Sequence, residues 1–350
     1  MKKFLNLFEK TVSLERLFGA WHVFRKGKIK RYDVQNFERH LEVNIFKLHQ
    51  ELMLGTYRHG AYSSFYIHDP KLRHIRKAKV KDRLVHQTVC TTLYEIFEAT
   101  LISDVYSSRL GKGTHKAVYK LREAARRISK NYTKVCWALK CDVKRFYDSV
   151  DHNILLNLLA KPIKDQKLLK LLEEIIYSFH TLNTTNKGMP IGNLTSQIFT
   201  NIYLSKLDYY VKHNLRQRYY FRYADDFIIL SCNKEELQGL TMKLKSFLNK
   251  HLTLKFHPQK VILKPLHHGF DFLGYVIMPY HCVLRTKTKR CMKKRLSKKL
   301  NEFFADKLSS KSYIQTINSY LGILSHANQF HLQQKIQNEF FIATSPFSEK

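Results

Sequence analysis

Acidic residues are scarce in this sequence: 28 Asp and Glu stand against 61 Lys and Arg in 350 residues, a formal net charge of +33. Self-repulsion of that size disfavours a compact chain unless a polyanion is its usual partner. Nucleic acid is the leading candidate and an anionic membrane surface the second. Proline is sparse as well, with seven scattered residues. There is no Pro/Gly-rich linker, internal repeat or low-complexity segment, which excludes domains strung on flexible tethers and predicts one compact, multi-lobed unit. The six cysteines (Cys90, Cys136, Cys141, Cys232, Cys282, Cys291) show neither a CxxC nor zinc-ligand spacing. Several lie in apolar stretches, where a free thiol behaves as a small hydrophobe. A reduced cytoplasmic protein without a structural metal is expected. No apolar run approaches the length of a membrane span, and Met1-Lys2-Lys3-Phe4 leads into no secretory segment.

What is present is a mixture of helical and alternating patterns. Apolar residues recur at helical spacing over 5–25 (Leu5, Phe8, Val12, Leu17, Trp21, Phe24), and a second helix is predicted from about Val34 to Leu54, ending at Gly55. Residues 71–83 form a dense basic run, followed by an apolar helix over Leu84 to Ala99 and a basic amphipathic helix over 115–130. Val135 to Val143 alternates as a strand, with Asp142 near its end. Asp151 to Phe179 and Ser196 to Val211 read as helices, Glu235 to Leu252 as another. Short strands punctuated by Gly269 and Gly274 fill 260–285, and the chain from Thr286 onward is helical and at first basic. Strands in the middle flanked by helices predict an α+β core.

Tyr223-Ala224-Asp225-Asp226 stands between the apolar runs Tyr219 to Arg222 and Phe227 to Leu230, at the tip of a predicted hairpin. Adjacent carboxylates repel, and folding does not require them there. Two readings stay open on this feature alone. Asp is common in turns, so it is a polar hairpin tip. Alternatively a hard divalent cation neutralises the pair while sharing its remaining coordination sites with substrate phosphates. Asp142 supplies a third carboxylate from a neighbouring strand end. Three carboxylates on one sheet can hold two metal ions, one acting on a primer 3′-hydroxyl and one on the leaving pyrophosphate.

Asp142 sits in Leu139-Lys140-Cys141-Asp142-Val143-Lys144-Arg145-Phe146-Tyr147-Asp148-Ser149-Val150-Asp151-His152. This stretch resembles motif A of prokaryotic reverse transcriptases, the group that includes group II intron enzymes. Gly188-Met189-Pro190-Ile191-Gly192-Asn193-Leu194-Thr195-Ser196-Gln197, with Asn201-Ile202-Tyr203-Leu204, resembles motif B, and Tyr223 to Asp226 resembles motif C. His257-Pro258-Gln259-Lys260 and Phe272-Leu273-Gly274-Tyr275 are similar to motifs D and E. Lys81-Asp82-Arg83-Leu84-Val85-His86-Gln87 and Gly111-Lys112-Gly113-Thr114-His115 fit the fingers motifs. The resemblance runs in order over about 65–335. It implies a right-hand polymerase fold of class α+β, with fingers, a palm built on an antiparallel sheet and a helical thumb. The implied layout is an N-terminal helical extension over 1–60, fingers over 61–135, palm over 136–284 with an insertion at about 153–187, and thumb and tail over 285–350.

The same resemblance implies roles. Asp142, Asp225 and Asp226, with the backbone of Val143, would hold two Mg²⁺ ions, Mn²⁺ being the alternative. Lys77 and Arg83 match positions that contact an incoming triphosphate, or else belong to a solvated, template-binding basic run. Tyr147 or Phe146 matches the ring beneath the sugar that excludes a 2′-hydroxyl, the other being core. Ile191 and Gln197 would border the dNTP. Lys260 would protonate the departing pyrophosphate or is simply a surface lysine. Arg73, Arg76, Lys79 and Lys112, and the thumb residues Arg290, Lys294 and Arg295, would grip template and RNA–DNA duplex. Arg25-Lys26-Gly27-Lys28-Ile29-Lys30-Arg31 is either an RNA phosphate contact or a solvated loop.

Motif B departs from the intron enzymes, which usually carry Pro-Gln-Gly and Ser-Pro where this chain has Pro190-Ile191-Gly192 and Ser196-Gln197. That pattern resembles diversity-generating retroelement enzymes and unknown-group reverse transcriptases of phage defence, and Ser319 to Ala327 resembles the thumb of the former. Ile191 offers no amide near the nucleotide, so discrimination there leans on shape, a weaker filter. No endonuclease, integrase or RNase H signature follows Thr286, so a structured non-coding RNA, and a protein partner encoded nearby or a homo-oligomer, are expected to supply template and outcome. The alternatives are a non-catalytic RNA-binding or maturase scaffold, disfavoured by its costly like charges, and RNA-templated RNA synthesis, disfavoured by Tyr147.

Overall fold

A computed structural model of the chain describes residues 2–68, 72–181 and 184–344, with side chains to residue 339. Lys71 of the basic run and the tail 345–350 lie outside the described residues. The chain divides into two compact units that interleave in sequence. One holds the residues up to Gly113, Lys140–Ile228 and Gly239–Val261; the other holds Thr114–Leu139, Ile229–Gln238 and the chain from Ile262 onward. One multi-lobed unit was expected. Because each unit is assembled from three separate stretches, no linker composition marks the division.

Several predicted helices are broken where a side chain competes for the backbone. The 5–25 pattern forms α1 (Phe8–Val12) and α2 (Leu14–Arg25), interrupted at Ser13, whose hydroxyl accepts the Arg16 N–H at 3.2 Å. The 34–54 pattern becomes α3 (Tyr32–Glu38) and α4 (Leu41–Met53), with the Asn44 amide donating to the Phe37 carbonyl at 3.0 Å across the break. Part of the basic run is strand: β1 (Ser63–Ile67) pairs antiparallel with β2 (Arg73–Lys77), from Ser63 opposite Lys77 to Ile67 opposite Arg73.

Helix α5 (Val80–Phe97) buries Leu84, Val85, Val89 and Leu93 completely and packs on α2. Helix α6 (Thr114–Ile128) buries Ala117, Val118, Leu121, Ala124 and Ala125, a stripe at helical spacing. Strand β3 (Trp137–Asp142) leads into the one-turn α7 (Phe146–Ser149). The predicted 151–179 helix is two, α8 (His152–Ala160) and α9 (Gln166–Tyr177). Pro162 cannot continue a helix, and Asp165 restarts it: Oδ1 accepts the Leu168 N–H at 3.1 Å, while Oδ2 accepts the N–H groups of Leu7 and Phe8 at 2.7 and 2.8 Å. One carboxylate thus caps both α9 and α1.

Helix α10 (Leu194–Tyr209) packs on α5 and α8. Then come β4 (Tyr220–Tyr223), β5 (Asp226–Ser231), α11 (Lys234–Leu252) and β6 (Ile262–Pro265). These strands and β3 form a sheet in the order β4-β5-β3-β6. A second sheet is the antiparallel meander β7 (Phe270–Phe272), β8 (Tyr275–Ile277) and β9 (Cys282–Leu284). Its first turn, Leu273-Gly274, has both residues left-handed (φ 50° and 91°), the geometry a two-residue hairpin turn needs. Helices α12 (Thr286–Phe304), α13 (Ser310–Leu324) and α14 (Phe330–Thr344) follow, each packed on the next. No helix among the described residues is long and apolar enough to cross a membrane.

One buried group makes stability pH-dependent. His86, on α5, is 1% exposed, and its Nε2 lies 3.2 Å from the Nε2 of His59. His59 Nδ1 is 2.7 Å from the Gly60 carbonyl, so it carries the proton and its Nε2 accepts from His86. His86 Nδ1 is buried without a partner among the described residues. Burial, then His59 and Arg83, pull the His86 pKa down to about 3. An unfolded histidine titrates near 6.5. Between these values the unfolded chain binds the extra proton, so this contribution is whole above about pH 6.5 and is lost as pH falls toward 3. Urea unfolding should therefore weaken by roughly 2 kcal/mol between pH 7 and pH 5 through this group. His86→Gln should flatten that slope, whatever its own stability.

Candidate active site

The hairpin tip between β4 and β5 is held from beneath by a buried ion pair. Arg222 is fully buried on β4 and meets Asp208 of α10, itself 1% exposed, in a two-pronged contact: Nε to Oδ1 at 2.7 Å and Nη2 to Oδ2 at 2.6 Å. The Tyr220 hydroxyl donates to Asp208 Oδ1 at 2.7 Å. Burial disfavours the charged guanidinium, but Asp208 outweighs it and the Arg222 pKa rises. Arg222 Nη1 reaches on to the Asn201 side-chain oxygen at 3.2 Å and the Ala224 carbonyl at 3.0 Å. The Ala224 N–H donates to Ser107 Oγ at 2.9 Å, and Asn201 Nδ2 donates to the Ser107 carbonyl at 2.9 Å. Ala224 adopts a left-handed φ of 53°, unfavourable for a residue with a side chain. Both its backbone polar groups are taken by this network, which holds it in that state.

The tip presents Asp225 and Asp226, with Asp142 at the end of the adjacent β3. Lys260 Nζ lies 2.8 Å from Asp142 Oδ2, and Lys140 Nζ lies 3.2 Å from Asp226 Oδ2. Burial is the largest cause raising the Asp225 pKa, with Asp142 adding and Lys260 and Arg73 opposing. Asp226 is pushed up to about 6 by burial, then by Asp142 and Asp225, against Lys140. Asp226 Oδ1 is buried without a hydrogen-bond partner among the described residues. No group of three or more His, Cys, Asp or Glu among those residues is arranged to hold a metal. In donor chemistry the site nevertheless fits a divalent cation: three hard oxygen donors act electrostatically on one another, one with an unsatisfied buried oxygen.

Flanking backbone fixes β3 against the segment carrying Lys260. Val143 and Phe256 form an antiparallel bridge in which His257 N–H donates to the Asp142 carbonyl at 2.8 Å and Lys144 N–H to the Lys255 carbonyl at 2.8 Å. Phe146, expected as one of two rings at the nucleotide, is 2% exposed and packs edge-on to Tyr203 at 6.2 Å. It is a core residue. Tyr147 is half-buried; burial raises its pKa, with Asp225 adding, so this ring lies within electrostatic reach of the tip. Its carbonyl accepts the Met189 N–H at 2.7 Å, tying α7 to the loop before α10.

That loop is clamped to β2. Arg76 N–H donates to the Ile191 carbonyl at 2.9 Å, and Asn193 bridges the Arg76 carbonyl (2.8 Å) and the Ala78 N–H (3.2 Å). A Cβ at Gly192 would stand 2.7 Å from Ile75 Cγ2, and its φ is 113°; only glycine allows this approach. Ile191 is half-buried, whereas Gln197 is exposed and accepts from Ser108 Oγ at 3.1 Å.

Lys77 and Arg83 meet each other at a residue outside the motifs: Asp33 Oδ2 lies 2.7 Å from Lys77 Nζ and 2.5 Å from Arg83 Nη2. Burial works to raise the Asp33 pKa, but the two cations outweigh it and the carboxyl titrates below its ordinary value. Arg73 is exposed and acts electrostatically on Asp225 and Tyr147. Lys79 is exposed at the start of α5, and Lys112 donates to the Ser103 carbonyl at 2.8 Å. Arg290, Lys294 and Arg295 lie exposed on α12 in the other unit. Asp208, Ser107, Lys140 and Asp33 were not anticipated, nor was the structural use of Arg222 and Asn201. One signal was readable: Asn201 and Asp208 stand seven residues apart, two turns on one face, alongside the apolar Ile198, Leu204 and Leu207.

The family model described as reverse transcriptase (RNA-dependent DNA polymerase) matches residues 67–277. The chain belongs to that family, and the enzyme class it defines is RNA-directed DNA polymerase. Protein YkfC of Escherichia coli (strain K12) is 23% identical over 273 residues, covering 67% of this chain and 71% of that one. The group II intron-encoded protein LtrA of Lactococcus lactis subsp. cremoris is 24% identical over 305 residues, covering 67% of this chain. The chain spans 50% of the length of LtrA. A structure of apo telomerase from Candida tropicalis, truncated from its C-terminal domain, aligns with 66% of this chain and 55% of that one, at a TM-score of 0.49 and 14% identity.

Removing one partner of a buried pair leaves the other charge uncompensated, which costs about 3–5 kcal/mol. Asp208→Asn should lower stability by that order in denaturant unfolding, whereas Lys77→Gln, at a partly exposed pair, should lower it by about 1 kcal/mol or less.

Proposed function

We propose that this chain makes cDNA on a dedicated structured RNA, with Asp142, Val143, Asp225 and Asp226 as the ligand set for two Mg²⁺ ions. The observation that carries this reading is the half-buried Asp226 carboxylate: its buried Oδ1 has no partner among the described residues, and its pKa is raised to about 6 beside two further carboxylates. Folding alone gains nothing from that arrangement. Bound cations supply Lewis acidity toward a primer 3′-hydroxyl and charge neutralisation at the leaving pyrophosphate. Lys140 favours the ionised, ligating form of Asp226, and Lys260 stands against Asp142. Tyr147 lies beneath the sugar, and its half-buried ring sets the depth of the pocket. Ile191, whose carbonyl accepts the Arg76 N–H, offers the nucleotide no side-chain amide, so the pocket discriminates by shape. Lys77 and Arg83 take the triphosphate, which must then compete with Asp33 for both.

In this reading residues 61–135 are fingers, 136–284 palm and 285–350 thumb, after a helical extension over 1–60. Arg73, Arg76, Lys79, Lys112, Arg290, Lys294 and Arg295 hold template and RNA–DNA duplex. The setting we infer is prokaryotic antiphage defence, in which some reverse transcriptases with an aliphatic residue before the motif B glycine act. Mutagenic cDNA synthesis in a diversity-generating retroelement is the second reading; the loss of an amide at Ile191 favours it.

Purified protein with its copurifying RNA, Mg²⁺ and labelled dNTPs should incorporate label, and Asp225→Asn with Asp226→Asn should abolish incorporation. Retained incorporation in that variant would overturn the mechanism. Ile191→Gln should lower the misincorporation frequency; an error spectrum identical to wild type removes the role given to Ile191. Plaque counts with and without the Asp225–Asp226 variant read the defence setting, and unchanged plating would leave diversification as the better account.

A further inference from the structure

Helix α6 turns its apolar stripe inward and leaves Tyr119, Arg122 and Arg126 outward. The chain beyond it passes through three successive left-handed residues, Lys130 (φ 49°), Asn131 (φ 56°) and Tyr132 (φ 66°). None is glycine, so the turn is strained and must be held. Asn131 N–H donates to the Arg126 carbonyl at 2.8 Å, Arg126 Nε donates to Asn131 Oδ1 at 2.7 Å, and Tyr132 N–H donates to Ser129 Oγ at 2.9 Å. Tyr280, between β8 and β9, is left-handed as well (φ 63°). Its ring stands 4.9 Å from that of Tyr132 at 68°, and its hydroxyl reaches the Asn131 carbonyl at 3.3 Å.

These residues wall a cavity of about 470 Å³ lined by Tyr119, Arg122, Arg126, Asn131, Tyr132 and Tyr280, all within one compact unit. Tyr119 is 63% exposed and Tyr280 76%. Glu123, also at the cavity, is taken by Lys120 and Arg127 at 2.7 and 2.8 Å. No carboxylate among the described residues pairs with Arg122 or Arg126. The cavity therefore offers aromatic faces and two guanidiniums with no carboxylate bonded to them, Arg126 being held by Asn131. Aromatic faces accept any base, and Arg side chains accept phosphate. A partner's apolar surface would satisfy the rings and leave both guanidiniums unpaired. The volume falls in the range of single-ligand pockets, roughly 300–1,000 Å³.

We propose that this cavity binds single-stranded nucleic acid, a base stacking on the tyrosines and its phosphate held by Arg122 and Arg126. The proposal stands apart from the polymerase reading, since none of these residues belongs to the carboxylate site. Preorganisation of the turn reduces the ordering that binding requires.

The test uses the full chain and a short oligouridine bearing a photoreactive 5-iodouridine, as RNA in one arm and DNA in the other, irradiated at high salt and mapped by mass spectrometry. Adducts on Tyr119, Tyr132 or Tyr280 in either arm support the site, and the arm tells which strand it takes. Tyr280→Gly removes the ring where glycine tolerates the backbone; it should abolish those adducts and weaken binding roughly tenfold. Arg122→Gln with Arg126→Gln removes both guanidiniums, and with them the Arg126–Asn131 bond, and should reduce the log–log salt slope of binding by about 1.4, two single-strand phosphates' worth. Adducts confined to other peptides, or wild-type affinity and salt slope in the arginine variant, would overturn the proposal.

Discussion

The arrangement at the hairpin tip depends on one ion pair, Arg222 with Asp208. The two side chains are buried almost completely, and their two-pronged contact joins β4 to α10. A pair of this kind is seldom the most stabilising way to fill a core, because desolvation offsets much of the attraction. Its value here is directional. Arg222 has one guanidinium nitrogen left after satisfying Asp208, and that nitrogen binds Asn201 and the carbonyl of Ala224. With Ser107 on the Ala224 N–H, the residue before the paired aspartates is held left-handed from both sides. Two adjacent carboxylates would otherwise open the turn by repulsion.

Charge is managed in the same way around the carboxylates. In a chain of net charge +33, cations are abundant, yet those set against the site are specific: Lys260 on Asp142, Lys140 on Asp226, and Arg73 acting at longer range on Asp225. They do not cancel the effect of burial, and Asp226 keeps a raised pKa and an unpartnered oxygen. The residual demand for positive charge is what makes the site suited to divalent cations.

The sequence was legible where function is local. Asp142 at a strand end, and Asp225-Asp226 at a hairpin tip between β4 and β5, could be read because each lies within a few residues of the pattern that reveals it. Helix boundaries were less legible. Apolar spacing continues across Ser13, across Arg39-His40 and across Pro162, so periodicity alone merged pairs of helices that side-chain caps and a proline separate. Least legible were partners distant in sequence. Nothing near Lys77 or Arg83 points to Asp33, and nothing near Arg222 points to Asp208, because a cation in a basic chain does not announce which carboxylate it meets. The full burial of Phe146 and the half-burial of Tyr147 likewise are a tertiary matter, Phe146 packing on Tyr203 of α10.

If the buried pair aims the carboxylates, disturbing it should change the response of the proposed metal site to Mg²⁺ as well as how stably the chain folds. The most direct measurement is single-nucleotide incorporation as a function of Mg²⁺ concentration for wild type and Asp208→Asn, at a temperature where both are folded. The account predicts that half-activation shifts to roughly tenfold or more higher Mg²⁺, as expected when support behind metal ligands is removed. A destabilised but folded variant with unchanged Mg²⁺ half-activation and rate would contradict it.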